Sequence, residues 1–489
     1  MLALRRSWRF PANSWVLLLA TWGCGRSGLG LSDEWSAGAG TAGGMGDSFG
    51  GGGRSGSGGG NDAGRGGDGC SAPCRPKPVA LTVGTAFACA LSTQGTVKCW
   101  GANERGQLGI GTTDARGDAP GELGAALPFT ELGSGRRAVA IDAGYRHACA
   151  LLDDGSVKCW GDGEVGALGL GDSRDRGSAA GEMGDALPPV ALGTGRSARA
   201  ISVAGRHTCA LLDDGSVKCW GSNGSGELGL GDRETRGDGP NEMGDALPAV
   251  DLGSGRKAVS VAVGTRHACA LLDDGSLKCW GANNWGALGL GDTTTRGALP
   301  EQMGNALPVV PVARELAGAK LVVSDGTGVL FPDATFECWG WNAYGQLGDG
   351  STLTRGDRPD DLLDLLPVDV PPSADVRTGW GWKCALLVDQ TLKCWGVNQA
   401  GQLGRGDSEK RGDNPGEMGD ALPVVDLGRG RSVVAVDVGD FQGCALLDDA
   451  SIKCWGSGDR GGLGTDDTEN RGDEPGEMGE ALPVVDLVF

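Results

Sequence analysis

One phrase returns seven times along this chain of 489 residues. In its clearest copy it reads Arg146-His147-Ala148-Cys149-Ala150-Leu151-Leu152, then Asp153-Asp154-Gly155, then Ser156-Val157-Lys158-Cys159-Trp160-Gly161. Two short runs of alternating apolar residues flank a three-residue loop that contains glycine, which predicts a β-hairpin with Gly155 in the left-handed region. Counting outward from the loop, Leu152 faces Ser156 and Cys149 lies opposite Cys159, at a separation a disulfide accepts. Each repeat is expected to be a hairpin that its own cystine can staple.

Aligned on the second cysteine, the copies centre on Cys99, Cys159, Cys219, Cys279, Cys338, Cys394 and Cys454. Trp-Gly follows each one, beginning at Trp100, Trp160, Trp220, Trp280, Trp339, Trp395 and Trp455. Six copies carry a partner ten residues earlier, which pairs Cys89 with Cys99, Cys149 with Cys159, Cys209 with Cys219, Cys269 with Cys279, Cys384 with Cys394 and Cys444 with Cys454. The fifth copy has Gly328 there, so Cys338 is left odd. Metal clusters are the competing use of these cysteines, but nine intervening residues across a hairpin, with no third or fourth ligand, disfavour them. Each small ring adds roughly 2 to 3 kcal/mol by the loop-closure argument.

Around the hairpin, Val-Val-Asp-Leu precedes a Gly-x-Gly turn and an Ala-Val-Ser-Val run, and a long polar loop leads on to Met-Gly-Asp-Ala-Leu-Pro. Each unit therefore reads as four strands, and seven such units predict an all-β, seven-bladed propeller. The first unit opens at Pro78 without a preceding Val-Val-Asp-Leu strand, whereas the chain finishes with Leu482-Pro483-Val484-Val485-Asp486-Leu487. That last strand is expected to complete blade one and close the ring.

The runs Gly144-Tyr145-Arg146-His147-Ala148-Cys149-Ala150-Leu151 and Gly166-Ala167-Leu168-Gly169 resemble the repeats of the regulator of chromosome condensation family. The resemblance covers roughly residues 80–489 and implies a seven-bladed propeller. It also implies that His147, His207 and His267, which share one repeat position, hydrogen-bond within their blades. Phe87, Trp382 and Gln442 stand where that histidine is expected, Ala204 replaces a usual glycine, and the fifth repeat lacks most of the first motif.

Ahead of the repeats, Arg5, Arg6 and Arg9 precede a short apolar run and Cys24, the pattern of an export signal over residues 1–23. It resembles a bacterial lipoprotein signal, which makes Cys24 the candidate lipidated residue; ordinary secretion and a short membrane anchor stay open. Residues 24–76 form a tether whose glycine and serine cannot offset chain entropy, and residues 77–489 hold the seven repeats. Cys70 and Cys74 close the tether as a possible pair, with zinc as the alternative. Sixteen cysteines in an exported chain favour disulfides. A formal charge of −20 disfavours a nucleic-acid partner, and membrane contact is expected only through the N-terminal lipid.

The histidines give no nucleophile elbow or triad, and the glycines no phosphate loop, so neither enzyme activity nor a cofactor is expected. Arg-Gly-Asp at Arg116, Arg236, Arg355, Arg411 and Arg471 varies to Arg176-Gly177-Ser178 and Arg296-Gly297-Ala298, so its constant part reads as a turn with a bridging Arg. Asp232, Glu242 and Asp245 lie near it as candidate calcium ligands, without the spacing of a ligand loop. The aromatic residues that the repeat does not demand are more informative. Trp285 stands where other units have Arg105, Val165, Ser225 or Ala400, and the fifth and sixth units add Trp341, Tyr344, Trp380 and Trp382. These five either fill local gaps or form an exposed protein-binding patch. The expected function is a surface-tethered or secreted protein-binding scaffold. A secreted polysaccharide lyase or hydrolase, or an inhibitor of another enzyme, is the alternative.

Overall fold

The computed structural model describes residues 76–489, so the export signal, Cys24, Cys70, Cys74 and nearly all of the tether lie outside the described residues. Those residues build seven antiparallel sheets, each of three strands in sequence order. In the first, β1 (Pro78–Val83) pairs with β2 (Phe87–Ser92), which pairs with β3 (Val97–Gly101). The middle strands are buried on both faces. In His147–Leu152, Ala148, Ala150 and Leu152 join the cluster shared with blade one, while Cys149 and Leu151 join the one shared with blade three. Period-two alternation thus feeds two cores at once.

Seven apolar clusters result, one in each wedge between successive blades. The wedge between the last blade and the first joins Leu446 and Ile452 to Val83, Ala88 and Trp100. Buried indoles tie blades together, because Trp160 Nε1 donates to the Gln107 carbonyl of the blade before at 2.9 Å and Trp220 Nε1 to Ala167 at 3.0 Å. Trp280, Trp339, Trp395 and Trp455 repeat the bond.

The hairpin register is the expected one. Leu152 N–H donates to Ser156 O at 2.9 Å, Cys149 opposes Cys159, and all six cystines close. In the fifth blade Cys338 is free and buried opposite Gly328. Phe336 fills the missing cystine's place: a Cβ on Gly328 would lie 2.6 Å from its ring.

Two expectations are corrected. The fourth strand is absent as a ladder, and the Val-Val-Asp-Leu segment is held to its hairpin by a single backbone bond, such as Val190 N–H to Val157 O at 2.8 Å. Pro188 sits two residues earlier, where the next donor on that edge would be, and proline has none. The C-terminal segment is likewise not a strand of blade one. Val485 N–H donates to Ile452 O of blade seven at 2.8 Å, while blade one has its own segment, with Thr130 N–H bonded to Val97 O at 2.9 Å. The segment follows its hairpin in the chain rather than preceding it. It still meets blade one at the seam, where Gly124 N–H donates to Asp486 O at 2.8 Å and Leu487 and Phe489 pack on the shared cluster.

Candidate functional site

The loop after each blade's third strand and the turn between its first two strands emerge at the same end of the sheet. Trp285, Trp341 and Tyr344 occupy such loops in blades four and five, while Trp380 and Phe441 occupy such turns in blades six and seven. Their rings form a continuous arc. Centroids are 6.4 Å apart from Trp285 to Trp341, 5.4 Å from Trp341 to Trp380 and 5.8 Å from Trp380 to Phe441. Tyr344 completes it at 5.2 Å from Trp341 and 5.5 Å from Trp380. Trp285 is 55% exposed and Phe441 40%, and the three between them are half-buried. Gly381, at φ +71°, lets the arc close up, since a Cβ there would lie 3.1 Å from the Tyr344 ring.

Trp382 does not belong to this arc, which corrects the sequence reading. It is fully buried in the wedge between blades six and seven, and its Nε1 donates to the carbonyls of Gly439 at 3.1 Å and Asp440 at 3.0 Å. Gly443 makes room for it, because a Cβ there would meet the indole at 3.0 Å. In every blade but the fifth, where Gly326 stands there, one position plugs the wedge, and the facing residue of the next blade decides how well the plug is matched. Phe87 packs in the same cluster as Ala148; His147 Nε2 pairs with Thr208 Oγ1 at 3.1 Å and His267 Nε2 with Thr327 Oγ1 at 2.8 Å. His147 and His267 thus bond between blades, not within them as the family resemblance implied. At His207 the matching position is Ala268, and both ring nitrogens are buried without a partner. Burial lowers the pKa of His147 and His207 to about 4 and that of His267 to about 3, so all three are neutral wedge plugs rather than bases open to a substrate.

The Arg-Gly-Asp loops are joints between blades. Arg236 pairs its backbone with Gly221, salt-bridges Asp232 at 2.6 Å, and leaves Gly237 against Gly166 and Gly169 of the preceding blade. The candidate calcium ligands are engaged elsewhere. Glu242 accepts N–H bonds from Gly237 and Gly239, and Asp245 accepts from Thr194 at 2.8 Å.

Along the central channel, Asp437 accepts from Val83 N–H at 2.9 Å, Asp142 from Val203 N–H at 2.7 Å and Ser202 from Val263 N–H at 3.1 Å, a belt that links successive blades. Desolvation first, and then Asp437, raise the Asp142 pKa to about 7.

Sequence reading missed Phe441 and the residues aligned with it, Arg146, Arg206 and Arg266. Arg206 is spoken for by Glu164 at 2.7 Å, whereas Arg266 has a single bond to Ser225 Oγ at 2.8 Å. The signal lay in the residue before each wedge plug, where Phe441 is an aromatic departure from the Ala86, Arg146, Arg206 and Arg266 of the first four blades.

Comparison with known proteins follows the same lines. The regulator of chromosome condensation (RCC1) repeat matches residues 79–107, 138–167, 199–227 and 258–286, and a second form of it matches 94–151 and 214–271. The ultraviolet-B receptor UVR8 of Arabidopsis thaliana is 30% identical over 414 residues, covering 83% of this chain and 82% of the receptor. The human E3 ubiquitin-protein ligase HERC2 is 29% identical over 77% of this chain, which spans only 7% of the ligase. Among solved structures, Prp20p of Saccharomyces cerevisiae aligns with a TM-score of 0.55 at 19% identity, over 74% of this chain and 80% of that one. Human WBSCR16 aligns equally well, with a TM-score of 0.55 at 20% identity over 76% and 92%. The likeness in structure is one of fold, the receptor carries the likeness in sequence, and the chain belongs to the regulator of chromosome condensation repeat family.

Proposed function

We propose that this chain is an exported, surface-tethered scaffold that docks another protein on the face bearing Trp285, Trp341, Tyr344, Trp380 and Phe441. The ring arc carries the reading. Blades one to three fold with Arg105, Val165 or Ser225 in the loop position of Trp285, so the fold does not require these rings, and aromatic anchors of this kind dominate protein interfaces. The Prp20p structure is titled for binding to Gsp1p and histones, an instance of a propeller of this fold working by contact with proteins. Six cystines support an oxidising compartment. Capture with the full chain, run beside Trp285→Ser and Phe441→Ser, tests docking; a partner retained equally by all three proteins rejects it. Lipid labelling of the native chain beside Cys24→Ala tests the anchor, and equal labelling of both rejects it.

The same rings favour one second reading, because three indoles within 6.4 Å of a neighbour make an ultraviolet-absorbing array and the receptor relative is named for ultraviolet-B. Irradiation near the tryptophan band would then change the oligomeric state or the tryptophan emission reversibly. An unaltered sedimentation profile and emission would reject it.

A further inference from the structure

Trp285, Trp341 and Trp380 also line a cavity of about 230 Å³ with Asp325 and Arg266. The first two rings are inclined at 34° and the second pair at 53°, so they form walls rather than a flat stack. Among the described residues the cations seated on aromatic faces are Lys98 on Phe129 and Arg314 on Phe331, which leaves these indole faces without one of the chain's own. Asp325 contributes a carboxylate. Its Oδ2 accepts from Gly381 N–H at 3.0 Å and Gln346 Nε2 at 3.4 Å, while its Oδ1 is buried with no partner. Lys383 acts on Asp325 from the middle strand of the next blade, but among the described residues Asp325 forms no ion pair. A buried carboxylate oxygen without a donor, beside electron-rich rings, is the chemistry that holds an ammonium which cannot be satisfied by hydrogen bonds alone. Arg266 is exposed at the rim and spends one donor on Ser225, so its remaining N–H groups can meet an anion.

We propose that this cavity binds a zwitterion whose methylated ammonium sits among Trp285, Trp341 and Trp380 beside Asp325, and whose carboxylate or phosphate reaches Arg266. A free betaine and a phosphocholine headgroup share that chemistry. The inference goes beyond protein docking and needs only the cavity. Burial, its largest influence, raises the Asp325 pKa, and a bound cation favours the ionised form, so binding strengthens as pH rises through that group's titration.

The full-length protein is titrated with tetramethylammonium, glycine betaine and phosphocholine, followed by tryptophan emission and calorimetry. All three are expected to bind, with at least one zwitterion about tenfold tighter than tetramethylammonium, and R266Q abolishes that advantage. W285L and D325N weaken all three by about tenfold. The tighter zwitterion identifies the source. Absence of heat with every probe up to about 10 mM, or unchanged affinities in W285L, overturns the proposal. Trp285 is mostly exposed, so W285L keeps the fold and the test stays decisive. A partner retained equally by the Trp285 variants while their probe binding falls would sink docking alone, and capture lost in them with probe affinities unchanged would sink this site alone.

Discussion

The same side chain has opposite roles at Trp285 and Trp382, and the difference follows from the residue it faces. Trp382 fills a wedge opened by Gly443, so Trp382→Ala leaves a cavity and is expected to cost about 3 to 5 kcal/mol in denaturant melts. Trp285→Ala is expected to change stability by about 0.5 kcal/mol or less. A partner missing at another wedge can be supplied. His207 lacks the hydroxyl that Thr208 gives His147, and Ala268→Ser is expected to stabilise by about 1 kcal/mol in the same melts; a loss of stability would reject the pairing. The histidines also set the acid limit. Their folded pKa values lie below the unfolded one, so the unfolded chain binds the extra protons. Stability is full above pH 6.5 or so and falls on acidification down to about 4, by about 1.4 kcal/mol per pH unit for each histidine. Melting temperatures flat from pH 7 to about 4 would contradict this burial.

At the scale of elements, hairpins were the most legible part of the sequence, since loop chemistry and period-two alternation set the register locally and the cysteines checked it. The fourth strand was misread because Val-Val-Asp-Leu has strand composition, while in every blade but the fifth its pairing is limited by Pro188 or its equivalent two residues before the one donor that bonds. Blade five shows how an element survives without its staple. Phe336 occupies the space over Gly328 where other blades have Val157 or Leu277 in that strand position. The double substitution Gly328→Cys with Phe336→Val is expected to form a seventh cystine with Cys338, read as loss of the one alkylatable thiol in the propeller. Gly328→Cys alone is expected to destabilise through the Phe336 clash. A double variant that keeps its free thiol would contradict the register.

For the whole molecule, repeat count and family resemblance were enough to give the propeller, but not the manner in which the ring meets itself. Beside the backbone bond from Gly124 to Asp486, side chains make the seam: Asp437 bonded to Val83 N–H, Gln442 Nε2 to Phe87 O at 3.3 Å, and the Val485 and Leu487 side chains in the last wedge. Deleting residues 482–489 removes that apolar cover and is expected to lower the melting temperature and promote aggregation; a deletion as soluble and stable as the parent would contradict it. The aromatic face was legible as a set of departures from the repeat. Assigning Trp382 to it was the error, because sequence showed the departure at Trp382 without showing that Gly443 opposes it. The most direct test of the docking face measures partner affinity and thermal stability on the same full-length variants, with Trp285, Trp341, Tyr344, Trp380 and Phe441 each changed to Ala and Trp382→Ala as the buried control. Affinity is expected to fall by about thirtyfold in the central variants while Trp285→Ala and Phe441→Ala keep the parent's melting temperature. Lowered stability with unchanged affinity across the five would contradict the docking face.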